Sequence, residues 1–233
     1  MPIPPIIYIT CSDQHRNGKT LLARVLIDYL MLENRDPFVI DAGFPEGPLR
    51  IYFPGRTALV DLTAVRGQMK LFDTIIAGHG RDYVIDIPAA KLERFTTASQ
   101  ELRFTMEAQR AGFRIVVLYV VDKHPESLEA AVLLERAIGP DLLVPVKNAA
   151  VGSALPPGYS GILVAMPQLP DALLAVIGNK RFSFRSYLLG EENAVPEALR
   201  PTLTSFLLAL LSAYRNIPPA LSLAKLHGGS HIR

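Results

Sequence analysis

The sequence predicts a doubly wound α/β domain: a mainly parallel sheet with helices packed on both faces. Three observations carry that expectation. Short β-branched runs alternate with longer amphipathic segments through the first two-thirds of the chain, the order that right-handed βαβ crossovers require. The runs are apolar throughout rather than at every second position, as in strands covered on both sides. Finally, 49% of the 233 residues are apolar and 20% charged. Such a chain buries a sizeable core, which excludes a disordered, collagen-like or bare coiled-coil protein.

The elements follow in order. Ile6–Thr10 (IIYIT) has strand length, and Leu22, Val25, Leu26, Tyr29 and Leu30 then mark an amphipathic helix over Thr20–Leu32. Phe38–Asp41 is a second strand and Ala58–Leu62 a third. A helical stretch covers Val65–Ala77, and Tyr83–Ile87 reads as a buried strand. One helix is expected from Lys91 to Arg110, ending at Gly112. Arg114–Val121 is the most β-prone run, Pro125 opens a helix to Ile138, and Gly139-Pro140 closes it. Leu142–Val146 and Ile162–Ala165 look like two more strands. Ser153–Gly161 reads as a loop, and Glu197–Tyr214 as a helix whose Leu203, Phe206, Leu207, Leu210, Leu211 and Tyr214 share a face. No composition shift or repeat demands a boundary. The expectation is one domain over residues 1–233, with a C-terminal helical segment at about 197–226.

Bulk charge says little about partners. Lys+Arg is 24 and Asp+Glu 22, a formal charge of +2, which leaves only a local basic patch for a polyanion. The one cysteine, Cys11, forms neither an internal disulfide nor a multi-cysteine metal site, so a reducing compartment is the natural reading. The first ten residues lack a basic n-region and are interrupted by Pro2, Pro4 and Pro5, unlike a secretory signal. The longest apolar runs fall far short of the ~20 residues that span a bilayer. A cytoplasmic protein without a transmembrane segment is expected.

The segment that carries chemistry is Thr10-Cys11-Ser12-Asp13-Gln14-His15-Arg16-Asn17-Gly18-Lys19-Thr20. It lies between the first strand and the first helix, where α/β sheets place their ligands. Gly18-Lys19-Thr20 matches the close of the P-loop pattern G-x-x-x-x-G-K-[ST]. There glycine admits a phosphate close to the backbone, lysine neutralises the β/γ-phosphates, and the hydroxyl ligates Mg²⁺. The nest would run over Gln14, His15, Arg16, Asn17, Gly18, Lys19 and Thr20. Asp13 stands where the pattern opens with glycine, an anion where phosphates should dock. Asp86, ending the run Asp82-Tyr83-Val84-Ile85-Asp86, has the form of a Walker-B carboxylate that holds Mg²⁺ through water. Asp41 ends the Phe38–Asp41 strand in the same way. For either carboxylate alone, a helix cap or loop residue is an equally good reading.

The series strand–GKT–helix, then VID, then DYVIDIP, resembles the ParA/MinD branch of P-loop ATPases, which includes CobQ-like and plasmid-transfer ATPases. The resemblance covers approximately residues 5–170. It implies an ATP- and Mg²⁺-binding protein in which Asp86 belongs to a D-x-P switch motif and Asp41 lies near the attacking water or the metal. Asn148, after the strand Leu142–Val146, resembles the asparagine with which this family reads adenine, and is otherwise a turn residue. The family's loop is K-G-G-x-G-K-[ST], its extra lysine reaching across a dimer. In this chain that lysine is Gln14 and the two glycines are His15 and Arg16, while Ala90 replaces the switch glycine. Arg16 or His15 is a candidate replacement cation, yet three lost glycines argue against the usual loop conformation.

Other residues weigh less. Cys11 beside the loop is either reactive or, more simply, a small buried strand-end residue. His15, His79, His124, His227 and His231 do not fall at zinc spacing. Asn179–Arg185 interleaves Lys180, Arg181 and Arg185 with Phe182 and Phe184, a pattern for nucleic acid or for an ordinary loop. Three functions stay open: a Mg·ATP-dependent switch with slow or absent hydrolysis and Lys19 and Asp41 in the catalytic roles; a degenerate interaction module of the same fold; and an ATP-dependent ligase or kinase. The partners implied are a nucleotide, a second copy of the chain in a homodimer, and a protein partner.

Overall fold

The structure, a computed structural model, describes residues 3–227 except His79, Pro157 and Arg181, and of residues 224–227 the backbone alone. His79, Arg181 and His231 thus lie outside the described residues, as does the side chain of His227.

Seven strands form one sheet among the described residues: β1 (Ile6–Cys11), β2 (Phe38–Asp41), β3 (Thr57–Leu59), β4 (Tyr83–Asp86), β5 (Arg114–Val120), β6 (Leu142–Asn148) and β7 (Val164–Met166). All pairings are parallel and the order is β3-β2-β4-β1-β5-β6-β7. The chain leaves β1 through helix α1 (Lys19–Leu32) toward β2, whereas β5 leads through a later helix to β6 on the other side. The carboxyl ends of the central strands therefore open onto a crevice, the place where such sheets hold ligands.

Alternation along β1 divides the core into two layers. Ile6 and Tyr8 face α1, α2 (Pro48–Tyr52), α7 (Asp171–Ile177), α8 (Phe184–Leu188), α9 (Arg200–Arg215) and α10 (Ile217–His227). Ile7, Ile9 and Cys11 face α3 (Val65–Ala77), α4 (Leu92–Glu101), α5 (Phe104–Arg110) and α6 (Pro125–Ile138). Every residue of β1 and β4 is buried, the burial on both faces that an all-parallel sheet requires. In the second layer Phe72 packs against Phe104 with ring centroids 4.7 Å apart and the rings tilted by 43°. Aromatic pairs add about 1 kcal/mol beyond the area they bury. The stripe from Leu203 to Tyr214 is buried against the sheet.

Several boundaries differ from the sequence reading. The helix expected over Lys91–Arg110 is a 3₁₀ turn at Ala89–Lys91 followed by α4 and α5. The chain breaks at Leu102 and Arg103, where Arg103 takes a left-handed φ of 50°. The third strand spans Thr57–Leu59 rather than Ala58–Leu62, and the last Val164–Met166 rather than Ile162–Ala165. Glu197–Leu199 is 3₁₀ ahead of α9. Among the described residues no helix is long and apolar enough to cross a membrane.

Candidate nucleotide site

A cleft of about 460 Å³ opens at the carboxyl ends of β1, β2 and β4. It is lined by His15–Leu21 from the loop and first turn of α1, by Asp41, Gly43 and Pro48 after β2, and by Asp86, Pro88 and Ala89 after β4. Its volume is in the range of small-molecule sites. Asp13 is not among the lining residues.

Asp13 is turned the other way. Its Oδ1 accepts the hydroxyl protons of Tyr119 (2.8 Å) and Ser127 (2.6 Å), and its Oδ2 the side-chain amide of Gln14 at 2.8 Å. Burial pushes this carboxyl up, but the hydrogen bonds from Ser127, Gln14 and Tyr119 together hold it below the usual carboxylate range. The anion expected among the phosphates is therefore a clamp that fastens the start of the loop to β5 and α6. Ser12 reinforces it, its hydroxyl donating to the carbonyl of Val120 at 2.8 Å.

The loop bends through two left-handed residues, Arg16 (φ 54°) and Gly18 (φ 92°). Arg16 thus adopts the conformation for which glycine is favoured, at a cost of about 1 kcal/mol. Missing glycine at this position does not prevent the turn. At Gly18 a side chain is excluded for a second reason. A Cβ there would lie 2.5 Å from Met166 Cε and 2.8 Å from Asn148 Nδ2. His15 and Arg16 are exposed at the rim, while Asn17 is buried.

Helix α1 begins beyond this turn without a side-chain cap and with no acidic residue in its first turn. Its first-turn amides therefore present uncompensated partial positive charge toward the cleft. Lys19 is 8% exposed, and its ammonium donates to the carbonyl of Gln14 (2.5 Å) and to Asn17 Oδ1 (2.9 Å). Burial lowers its pKa, and the negative charges of Asp86 and Asp13 raise it in part.

Across the cleft Asp86 Oδ2 accepts the hydroxyl proton of Thr20 at 2.8 Å, and Oδ1 that of Thr10 at 2.8 Å. The parallel register of β1 and β4 sets Thr10 beside Asp86. Burial pushes Asp86 up to about 6, against the two hydroxyl hydrogen bonds and Lys19, with Asp41 adding to the rise. Asp41 is fully buried, and its two oxygens accept the amides of Gly43 and Leu49, each at 2.8 Å. It shapes the turn into α2 as well as lining the cleft. Burial raises its pKa too.

The Thr20 hydroxyl and the Asp86 carboxylate are hard oxygen donors, the set that suits Mg²⁺ when phosphates complete its shell. Among the described residues no group of three or more His, Cys, Asp or Glu could hold a metal by itself. Asn148, at the end of β6, is 5% exposed. Its Nδ2 donates to the carbonyl of Asn17 at 2.9 Å and its Oδ1 accepts the amide of Ala150 at 3.0 Å. It braces the loop and does not line the cleft.

Sequence reasoning missed Thr10, Ser12, Tyr119 and Ser127, whose roles depend on partners brought in by the fold. It also missed Arg24, which is 5% exposed and lies 3.4 Å over the Tyr52 ring centroid while donating to the carbonyl of Ile177 at 2.8 Å. One candidate needs correction. Phe182 and Phe184 are 5% and 1% exposed, so they belong to the core and offer no stacking platform for bases. Cys11 is fully buried with its thiol pushed up by that burial, the character of an inert packing residue.

Solved structures are similar to this chain. A putative plasmid partition protein from Borrelia burgdorferi B31, bound to AMPPNP, is 11% identical, with 91% of this chain and 99% of that chain covered at a TM-score of 0.52. A nucleotide-binding protein from Archaeoglobus fulgidus in complex with ADP is 13% identical over 74% of this chain and 87% of that chain, with a TM-score of 0.47. The MinC:MinD cell division protein complex of Aquifex aeolicus gives 13% identity, coverage of 91% and 95%, and a TM-score of 0.46. No family model and no curated protein matches the sequence. The fold is a three-layer α/β sandwich around a parallel sheet, shared with the Borrelia plasmid partition protein.

Proposed function

We propose that this protein binds Mg·ATP in the cleft at the carboxyl end of the sheet and acts as a nucleotide-dependent switch with slow or absent hydrolysis. The observation that carries the reading is the orientation of Asp13. With its carboxylate held by Tyr119 and Ser127, the cleft keeps uncapped helix amides, an ammonium and a hydroxyl–carboxylate pair in one place. The AMPPNP in the Borrelia protein of the same fold supports a nucleotide as the ligand.

In this reading the amides from Gln14 to Thr20 cradle the phosphates and Lys19 supplies their countercharge. Thr20 and Asp86 would hold Mg²⁺, which would supply charge neutralisation for the phosphates. Asp41 would orient the attacking water through its remaining lone pairs. Because both of its oxygens already serve backbone amides, it is poorly free to reorganise around a reacting phosphoryl group, and slow turnover follows. Asn148 would read a base with the Nδ2 hydrogen and the Oδ1 lone pair that its bonds to Asn17 and Ala150 leave over. His15 and Arg16 are the exposed rim groups nearest an entering phosphate tail.

Titration calorimetry with Mg·ATP tests the reading. Wild-type protein is expected to bind and Lys19→Ala to lose at least tenfold in affinity, about 1.4 kcal/mol; equal affinity removes Lys19 from the site. A second reading, an interaction module that binds no nucleotide, draws on the prior engagement of the Lys19 ammonium by the loop. It predicts no thermal shift with Mg·ATP at any concentration, whereas even weak binding stabilises as RT ln(1 + [L]/Kd).

A further inference from the structure

Asn17 is 1% exposed, and each polar group of its side chain is engaged inside the loop. Its Oδ1 accepts from the Lys19 ammonium at 2.9 Å, and its Nδ2 donates to the Ser12 hydroxyl at 2.5 Å. Its backbone carbonyl is held by Asn148 Nδ2 at 2.9 Å. The carboxamide oxygen thus sits on the ammonium as an oxygen of a bound phosphate would. We infer that Asn17 is an internal surrogate for a phosphate oxygen, a positioning residue that holds Lys19 against the loop and sets the affinity of the cleft for polyphosphate. This rests on the nucleotide-binding reading of the same cleft and adds to it the residue that opposes binding.

An ammonium has three donors and no acceptor. Two of them are committed, to Gln14 O and Asn17 Oδ1, and the group is nearly withdrawn from solvent. An entering phosphate must take the third donor or displace the Gln14 carbonyl or the carboxamide, and of these two acceptors the carboxamide is the one a side-chain substitution removes. Displacement breaks a charge-assisted hydrogen bond, so it lowers affinity by about tenfold or more. Ser12 fixes the surrogate from behind. Its hydroxyl is anchored on Val120 O at 2.8 Å, so the carboxamide is not free to swing aside when a ligand arrives.

Two substitutions at one position separate this role from mere support of the loop. Asn17→Ala removes the competing oxygen; Asn17→Asp keeps the shape and places a full anion on the ammonium. Isothermal titration with Mg·ATP and with inorganic tripolyphosphate, which carries no base, is the measurement. The expected result is opposite changes, about tenfold tighter for Asn17→Ala and at least tenfold weaker for Asn17→Asp, with both probes. Unchanged or weaker binding by a folded Asn17→Ala overturns the surrogate role. If Asn17→Ala fails to fold by circular dichroism, Asn17→Asp decides alone, and binding equal to or tighter than wild type overturns the role. Wild type and both variants that fail to bind either probe overturn the nucleotide-binding reading itself, and the surrogate with it.

Discussion

Strand β4 is flanked by two buried carboxylates, and the chain treats them differently. Asp82, just ahead of the strand at the amino end of the sheet, accepts the Ile6 amide at 2.8 Å and the Arg35 Nη2 at 2.6 Å on Oδ1, with Arg35 Nε 2.5 Å from Oδ2. Asp86, at the carboxyl end, is equally buried at 4% exposed but, among the described residues, its carboxylate receives only the hydroxyls of Thr10 and Thr20. Burial raises both carboxyls. At one end the protein neutralises the charge with its own guanidinium; at the other the nearest cation, Lys19, is turned into the loop. The contrast separates a carboxylate paired with a guanidinium from one whose hydrogen bonds come from hydroxyls.

Breaking the paired end should have the largest effect. Asp82→Ala strips Arg35 and the Ile6 amide of their partner, and loss of one member of a buried pair costs about 3 kcal/mol. Urea unfolding should show that drop, with Mg·ATP affinity at the far end of the sheet unchanged; a loss below about 0.5 kcal/mol would mean the pair is only superficial.

At the unpaired end the sign reverses. Asp86 has a folded pKa of about 6, above its unfolded value of about 4. Its contribution is therefore complete below about pH 4 and is lost as pH rises through about 6. Asp86→Asn should stabilise the ligand-free protein by about 2 kcal/mol at neutral pH and abolish Mg²⁺-dependent binding. Urea midpoints taken from about pH 4 to about pH 8 would show the wild type falling relative to the variant. Parallel profiles would place the titration elsewhere.

The smallest effect sharpens the comparison inside the loop. Arg16→Gly relieves the left-handed φ of 54° and should raise stability by about 0.5–1 kcal/mol, less the extra freedom glycine brings to the unfolded chain. A lower melting temperature for Arg16→Gly would show that the arginine side chain contributes more than its backbone costs.

Where periodicity runs long, the sequence speaks clearly. Val65–Ala77 and Pro125–Ile138 have the same limits in sequence and structure. The short helices Pro48–Tyr52, Asp171–Ile177 and Phe184–Leu188 were illegible, because five to seven residues do not complete the two turns over which a 3.6-residue period shows. The break at Arg103 has no glycine or proline to announce it. The residue types of the cleft were readable from Gly18-Lys19-Thr20 and the two strand-end aspartates. Their orientations were not. Asp13 is read as an obstruction until Tyr119 and Ser127, more than a hundred positions away, are seen to draw it aside. Asn17 looks like any loop residue until its oxygen is found on the ammonium.

The two outermost strands of the sheet, Thr57–Leu59 and Val164–Met166, are three residues each. So short a border offers a passing extended chain very few unpaired backbone groups to register against, which makes edge-to-edge growth into larger aggregates unfavourable. Any self-association of this protein would then have to use side-chain surfaces, leaving the sheet itself finite.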